Sequence, residues 1–191
     1  MDLFWQSTLL IALAEMGDKS QLVSLAFATR FSWRIALAGV TAATLVVHLF
    51  SVVLGEALGT VLPPAVLLAL GGVAFIVFGL WTLRGDTYDE GEEEKKRSRF
   101  GPFLTVAGTF FLAELGDKTM LATVTLASQG HSPVGVWLGS TLGMVSADAL
   151  AIGVGHAMGR HLPERAIKLA AAGIFFAFGV WSLSRAAGLV P

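Results

Sequence analysis

Long apolar stretches alternate with short polar interruptions along almost the whole chain. Six stretches are long enough to cross a bilayer, which takes roughly 20 residues of α-helix, and they lie at about 3–29, 34–58, 64–84, 102–128, 134–158 and 165–186. Pro and Gly mark the interruptions, as at Pro63-Pro64 and from Gly130 to Pro133. The pattern predicts an all-α integral membrane protein with six transmembrane helices.

The composition agrees with this prediction. Hydrophobic residues make up 54% of the sequence and charged residues only 14%, whereas soluble domains carry about 25% charged residues. We therefore expect the lipid bilayer as a partner, with no nucleic acid and no protein partner predicted. There are no cysteines, which excludes disulfides and thiolate metal sites. No basic region precedes the apolar run that begins at Leu3, so we expect no cleavable signal peptide.

The second half of the chain repeats the first. The segment Glu15-Met16-Gly17-Asp18-Lys19-Ser20 recurs as Glu114-Leu115-Gly116-Asp117-Lys118-Thr119. Beyond these motifs the halves share further positions, including Gly39 and Gly139, Gly55 and Gly155, Phe78-Gly79 and Phe178-Gly179, and Trp81 and Trp181. An internal repeat of three helices explains these matches.

A charged segment separates the two copies. We predict a first three-helix repeat at 1–84, a charged linker at 85–101 and a second three-helix repeat at 102–191, together forming one membrane domain. Because each copy has an odd number of helices, the second copy enters the membrane from the opposite side. The two copies are then inverted-topology repeats, as in many secondary transporters.

The basic residues predict the orientation. Of the 13 Lys and Arg residues, ten lie in the segments that follow the first, third and fifth helices. Cytoplasmic loops are the ones enriched in Lys and Arg. We therefore expect the linker 85–101 in the cytoplasm and both termini outside.

The two motifs bring ionisable groups into the apolar stretches. Glu15 and Glu114 each lie about a dozen residues into a helix, roughly 16–18 Å deep, in a hydrocarbon core about 30 Å thick. Each ionised group there costs at least ~2.5–3.5 kcal/mol, so the motifs should face a cavity or each other. Within a motif, Glu and Asp are three residues apart on one helical face. The glycine between them permits local unwinding, which frees backbone carbonyls.

Together the motifs suit a hard cation. Inverted symmetry would unite four carboxylates and two ammonium groups, which leaves a net charge of two negatives for a divalent ion to balance. Oxygen donors, including the hydroxyls of Ser20 and Thr119, favour Ca²⁺, Mn²⁺ or Mg²⁺ over Cu or Zn. Protons and metal would compete for the same oxygens, and that competition is sufficient for antiport.

Two E-x-G-D-[KR]-[ST] motifs in a duplicated chain resemble the Gdt-type cation/proton exchanger family, which includes Golgi manganese and calcium exchangers and bacterial manganese exporters. The resemblance implies a transporter that exports Mn²⁺, or alternatively Ca²⁺, in exchange for protons, without a prosthetic group. Without a targeting extension and with a short linker, the chain is similar to a bacterial inner-membrane member. The implied metal ligands are Glu15, Asp18, Glu114 and Asp117, with Ser20 and Thr119 nearby.

Other polar residues in the apolar stretches have more than one candidate role. Lys19 and Lys118 are either counter-charges that hold the empty site together or snorkelling and helix-locking residues. His48 and Asp148 occupy equivalent repeat positions and are candidates for a proton relay or extra ligands, with packing the alternative for His48. Gln21 is a further candidate ligand, although its repeat counterpart is Met120.

Four other interpretations remain open at this stage. The motif carboxylates can be structural partners of the lysines, the chain can export amino acids or other small solutes, or it can be a membrane-embedded metal-dependent enzyme. It can also be a non-transporting assembly factor. No nucleophile or metal triad stands at a useful spacing, so we predict a transporter and not an enzyme.

Overall fold

The computed structural model describes residues 2–16, 18–84, 101–129, 132–158 and 164–189, and all regular structure within these ranges is helical. The helices are α1 (Leu3–Glu15), α2 (Lys19–Arg30), α3 (Trp33–Val61), α4 (Pro64–Arg84), α5 (Pro102–Glu114), α6 (Lys118–Gln129), α7 (Pro133–Met158) and α8 (Glu164–Ala186). The all-α class is confirmed. The first and fourth predicted helices, however, are each divided in two at the repeated motif, and most of the predicted linker lies outside the described residues.

Local sequence explains where several helices begin. Pro64, Pro102 and Pro133 are the first residues of α4, α5 and α7, where a missing N–H costs nothing and the fixed φ of proline suits a helix. The start of α3 is capped by Ser32, whose hydroxyl accepts a hydrogen bond from the backbone N–H of Ile35 at 3.3 Å. Helices α4 and α5 therefore begin at the predicted residues 64 and 102, and α7 begins one residue before the predicted 134.

The length and composition of the described helices suit a membrane. Three of them, α3, α4 and the Pro133–Gly153 part of α7, are long and apolar enough to cross a bilayer. Shorter apolar helices are α1, α5 and the Ala172–Ala186 part of α8. Many large apolar side chains are exposed, including those of Phe50, Val53, Leu70, Leu80, Leu104, Leu112 and Val180. An outer surface this apolar is one that lipid, and not water, would cover.

The helices pack across the two halves of the chain. Helix α1 packs on α7, α3 packs on both α5 and α6, and α4 packs on α8. Glycines make two of these contacts close. A Cβ added at Gly143 would lie 2.4 Å from the Thr8 carbonyl oxygen, and one added at Gly55 would lie 2.5 Å from that of Val124. These small residues let the helix backbones approach closely, and they fix α1 and α6 against the opposite half.

An aromatic cluster joins α4 to α8. The ring of Phe75 stacks on that of Phe175 with centroids 6.1 Å apart, and Phe78 meets Phe175 edge to face at 5.9 Å. Among the described residues, no acidic or basic side chain belongs to this aromatic cluster. Helices α4 and α8 therefore form an apolar support beside the helices that carry the motifs.

Candidate metal centre

The two motifs form matching breaks in the helical backbone. Helix α1 ends at Glu15 and α2 begins at Lys19, and in the second half α5 ends at Glu114 and α6 begins at Lys118. The residue after each glutamate is extended, with φ −62° and ψ 122° in the first break and φ −64° and ψ 114° in the second. In both breaks the backbone N–H of the aspartate donates to the carbonyl oxygen of the glutamate, at 3.1 and 3.2 Å. The repeated sequence thus produces a repeated local structure.

Glycine is required at the second break. Gly116 has φ 80°, a left-handed conformation that costs an L-residue with a side chain roughly 1–2 kcal/mol. Its counterpart, Gly17, lies outside the described residues. The local unwinding expected from the sequence occurs at both motifs, and a helix end leaves its last carbonyl groups without intrahelical partners. Each break therefore brings carbonyl oxygens and helix N-termini to the same place as the carboxylates.

All four motif carboxylates are in the protein interior. Glu15 is 0% exposed, Glu114 1%, Asp117 3% and Asp18 6%. The hydroxyl residues Ser20 and Thr119 are buried with them, and Thr119 Oγ1 donates to Glu114 Oε2 at 3.2 Å. Several carboxylate oxygens have no hydrogen-bond partner among the described residues, namely Glu15 Oε1 and Oε2, Asp18 Oδ2 and Glu114 Oε1. Buried acceptors of this kind need a proton or a cation.

A salt bridge connects the two motifs. Lys118 Nζ lies 2.6 Å from Asp18 Oδ1, and the exposed fractions of the two side chains are 3% and 5%. The carboxyl group of Glu15 interacts electrostatically with those of Glu114 and Asp18 and with the ammonium group of Lys118. The structure therefore brings the predicted residues of both halves into one buried cluster. In this conformation, no group of three or more His, Cys, Asp or Glu side chains among the described residues is arranged to hold a metal ion.

Asp148 adjoins this cluster from α7. Its Oδ1 accepts a hydrogen bond from Ser24 Oγ at 2.8 Å, and its carboxyl group interacts electrostatically with that of Asp18. Gln21 Nε2 donates to the carbonyl oxygen of Ala147 at 3.0 Å. Ser24 is the residue that sequence reasoning missed, although its position one turn after Ser20 places it on the same face of α2 and is a usable signal.

For two further candidates, His48 and Lys19, the described part of the structure gives no hydrogen bond to the carboxylate cluster. His48 is 1% exposed in α3, and neither of its ring nitrogens has a hydrogen-bond partner among the described residues. Among the described residues, no hydrogen bond therefore links His48 to either motif. Lys19 begins α2, but its side chain is not among the described parts of the chain.

A cavity of about 800 Å³ lies between the ends of five helices. The lining residues come from the first turn of α1, the first half of α4 and the last turns of α3, α6 and α8, among them Gln6, Glu56, Gln129, Ser182 and Arg185. Those helix ends therefore share one side of the molecule. No motif residue is among the described residues that line the cavity, so the carboxylate cluster is separated from it.

Comparison with known proteins gives concordant matches. A family model described as "Divalent cation/proton antiporter GDT1" matches residues 3–90 and 102–188. A Vibrio cholerae protein named "Putative manganese exporter" is 36% identical over 167 residues, which cover 86% of this chain and 82% of that protein. "GDT1-like protein 5" of Arabidopsis thaliana is 28% identical over 217 residues, covering 94% of each chain. No solved structure matches the chain significantly.

The matched residues include both motifs and nearly all of both halves. The family resemblance inferred from the motifs is confirmed, and so is the prediction of a transporter in place of an enzyme. The chain belongs to the GDT1 family of divalent cation/proton antiporters.

Proposed function

We propose that this antiporter exports Mn²⁺ from the cytoplasm in exchange for protons, at a site formed jointly by the two helix breaks. The observation that carries the proposal is the buried contact between Lys118 and Asp18, because it joins the two motifs inside the protein. The name of the Vibrio cholerae relative supports Mn²⁺ as the ion. Ca²⁺ is the alternative, since the same oxygen donors serve both ions.

The proposed ligands are the four motif carboxylates and the two adjacent hydroxyls: Glu15, Asp18, Ser20, Glu114, Asp117 and Thr119. This set is supported by the burial of the four carboxylates, and by both oxygens of Glu15 and one of Glu114, which have no hydrogen-bond partner in the described part of the chain. The carbonyl groups at the ends of α1 and α5 supply further oxygens. On metal release, protons replace the cation within this set of carboxylates, because several buried negative charges without a cation are costly to hold together.

The proposed architecture is six membrane spans in two inverted three-helix repeats, with 1–84 and 102–191 as the repeats and 85–101 as the linker. In this arrangement α1 with α2, and α5 with α6, each form one broken span. The matching geometry of the breaks and the packing of each broken helix on the other half support the scheme. Rocking of one repeat against the other would then expose the site to each side in turn.

The proposed location is a bacterial inner membrane, with both termini outside and the linker in the cytoplasm. The distribution of Lys and Arg supports this orientation. The start of α1 and the end of α8 line the cavity, so in this scheme it belongs to the outer half of the transport path. Export would release Mn²⁺ through it.

Asp148 is proposed as a proton carrier beside the metal site, and its contact with Ser24 supports a position next to the cluster. Gln21 and Lys19 are proposed as accessory residues of the site, and His48 as a second relay candidate. We expect Asp148→Asn to lower proton-coupled transport about tenfold or more while leaving Mn²⁺ affinity nearly unchanged. A large loss of Mn²⁺ affinity in this variant would make Asp148 a ligand instead.

The decisive experiment measures ion flux in proteoliposomes that contain the purified full chain. A pH gradient is imposed, a dye inside reports metal entry, and Mn²⁺, Ca²⁺ and Mg²⁺ are offered in turn. We expect Mn²⁺ uptake that stops when the gradient is dissipated. Preference for Ca²⁺ would change the ion and keep the mechanism, whereas flux that ignores the pH gradient would contradict proton coupling.

A further inference from the structure

Lys118 places a positive charge directly against one of the proposed metal ligands. The ammonium nitrogen lies 2.6 Å from Asp18 Oδ1, the distance of a charge-assisted hydrogen bond. Asp18 is at the N-cap position of α2, yet its side chain makes no capping hydrogen bond to its own helix. Its carboxylate instead faces a cation from the other half of the chain. Lys118 therefore occupies coordination space that the proposed metal would need.

The ammonium group of Lys118 and a metal ion cannot favourably bind Asp18 at the same time. Both side chains are almost completely buried, so water cannot screen the repulsion between an ammonium group and a divalent ion beside it. Glu15 and Asp117 also lie within electrostatic range of the ammonium group. These two carboxylates can balance the charge of Lys118 when it leaves Asp18, so the buried ammonium group keeps an acidic partner.

From these contacts, and resting on the proposed metal site, we infer that Lys118 is a tethered substitute for the transported cation. It pairs with Asp18 when the metal is absent, and metal binding displaces it. No proton moves to or from Lys118 in this exchange, because the ammonium group stays charged. The transporter can then return without metal, with the ammonium group of Lys118 in place of the cation at Asp18.

The substitution Lys118→Met tests this role because it keeps the length of the side chain and removes its charge. Without the competing ammonium group, we expect the variant to bind Mn²⁺ at least about tenfold more tightly. Metal should also raise its unfolding temperature by more than it raises that of the wild type, since the metal now balances an otherwise unpaired Asp18. Arg84→Met, which removes an exposed cation at the end of α4, is the matched control and should change neither quantity.

Transport gives a second, independent readout. In proteoliposomes loaded with Mn²⁺, Lys118→Met should still exchange labelled Mn²⁺ for unlabelled Mn²⁺, because that cycle never passes through the empty site. Its net proton-coupled transport should fall about tenfold or more, since the return step lacks the substitute cation. Lys118→Arg restores the charge and should restore net transport. If Lys118→Met does not fold, Lys118→Gln takes its place in every assay.

The outcomes separate this inference from the proposed function. A wild-type protein that transports Mn²⁺, with Lys118→Met binding it no more tightly, would overturn the substitute role and keep the metal site. Equal loss of exchange and net transport in that variant would likewise assign Lys118 a purely structural role. Absence of divalent-ion binding and transport in the wild type would overturn both the proposed function and this inference.

Discussion

At the scale of single residues, the surroundings of Glu114 show what distinguishes the motif carboxylates from other acidic groups. One of its oxygens accepts a hydrogen bond from Thr119, and the other is buried without a hydrogen-bond partner among the described residues. Asp2, by contrast, is exposed at the start of the chain. Burial of an acceptor with no fixed donor is costly in a purely structural role, so these carboxylates suit groups that bind and release an ion.

We therefore expect Glu114→Gln to reduce Mn²⁺ transport by more than about 100-fold. In many metal sites, mutation of a residue that only hydrogen-bonds a metal ligand already lowers metal affinity or activity by about 10- to 100-fold. The amide keeps the shape of the side chain and an oxygen that can accept from Thr119, so the protein should remain folded. Flux in proteoliposomes measures the first quantity and thermal unfolding the second. Asp2→Asn, the same chemical change at an exposed position, should transport normally, and full activity of Glu114→Gln would exclude it as a ligand.

At the scale of single elements, the helix breaks depend on one backbone conformation and on close helix packing. The conformation is the positive φ of Gly116. The packing is that of α7 on α1, in which Gly143 lies against the backbone at Thr8 and Ala12. Since α1 ends at Glu15, a shift of α1 would displace one of the proposed ligands.

Gly116→Ala should destabilise the protein by about 1–2 kcal/mol, because an alanine is strained at positive φ even where space is free. A Cβ at this position would meet nothing within 4 Å, so the cost is conformational only. Gly108→Ala is the matched control within α5: it also meets nothing within 4 Å, and in an ordinary helix it should stabilise by about 0.5–1 kcal/mol. The free energy of unfolding is measured in micelles for both variants. Equal changes in the two variants would contradict strain at Gly116.

Gly143→Ala should destabilise by about 1–3 kcal/mol, because its methyl group can fit only if α1 moves away from α7. The displaced α1 should also weaken Mn²⁺ transport through Glu15. In the same helix, Gly153→Ala places a methyl group where nothing lies within 4 Å and serves as the control. Unfolding and flux are measured for both variants, and wild-type behaviour of Gly143→Ala would show that the α1 contact is easily adjusted.

At the scale of the whole molecule, the proposed orientation places both termini on the side of the cavity. The starts of α1 and α4 and the ends of α3, α6 and α8 line one cavity, so these ends share a side. In the proposed orientation the opposite side, which is rich in basic residues, faces the cytoplasm. An inverted repeat requires successive spans to cross the membrane in opposite directions, and each copy contributes an odd number of spans. The first and last spans then begin and end on the same side.

Cysteine labelling tests the orientation directly, because the chain has no cysteine of its own. In intact bacterial spheroplasts, a membrane-impermeant maleimide should label Asp2→Cys and Leu189→Cys. A cysteine placed within the linker 85–101 should react only after the membrane is permeabilised. Labelling of the linker from outside would reverse the orientation and with it the predicted direction of the cavity.

Much of the site could be predicted from the sequence, but its contacts could not. The acidic residues stand out because charges are rare in apolar stretches, and the glycine between them indicated unwinding. Neither feature specifies that Lys118 meets Asp18, because that distance depends on how α6 packs across the other half. The link from Ser24 to Asp148 likewise joins residues 124 positions apart. Contacts of this kind follow from packing of the whole bundle.

The sequence by itself determined the all-α membrane class, the proline-marked helix starts and the position of both motifs, because hydrophobic length, the fixed φ of proline and the scarcity of buried charge are local properties. The tertiary structure decided that each motif ends one helix and begins another, which helices of the two halves meet, and which buried oxygens are left without partners. These three features depend on the close approach of α1 to α7 and of α3 to α6. Such approaches are set jointly by many side chains far apart in the chain.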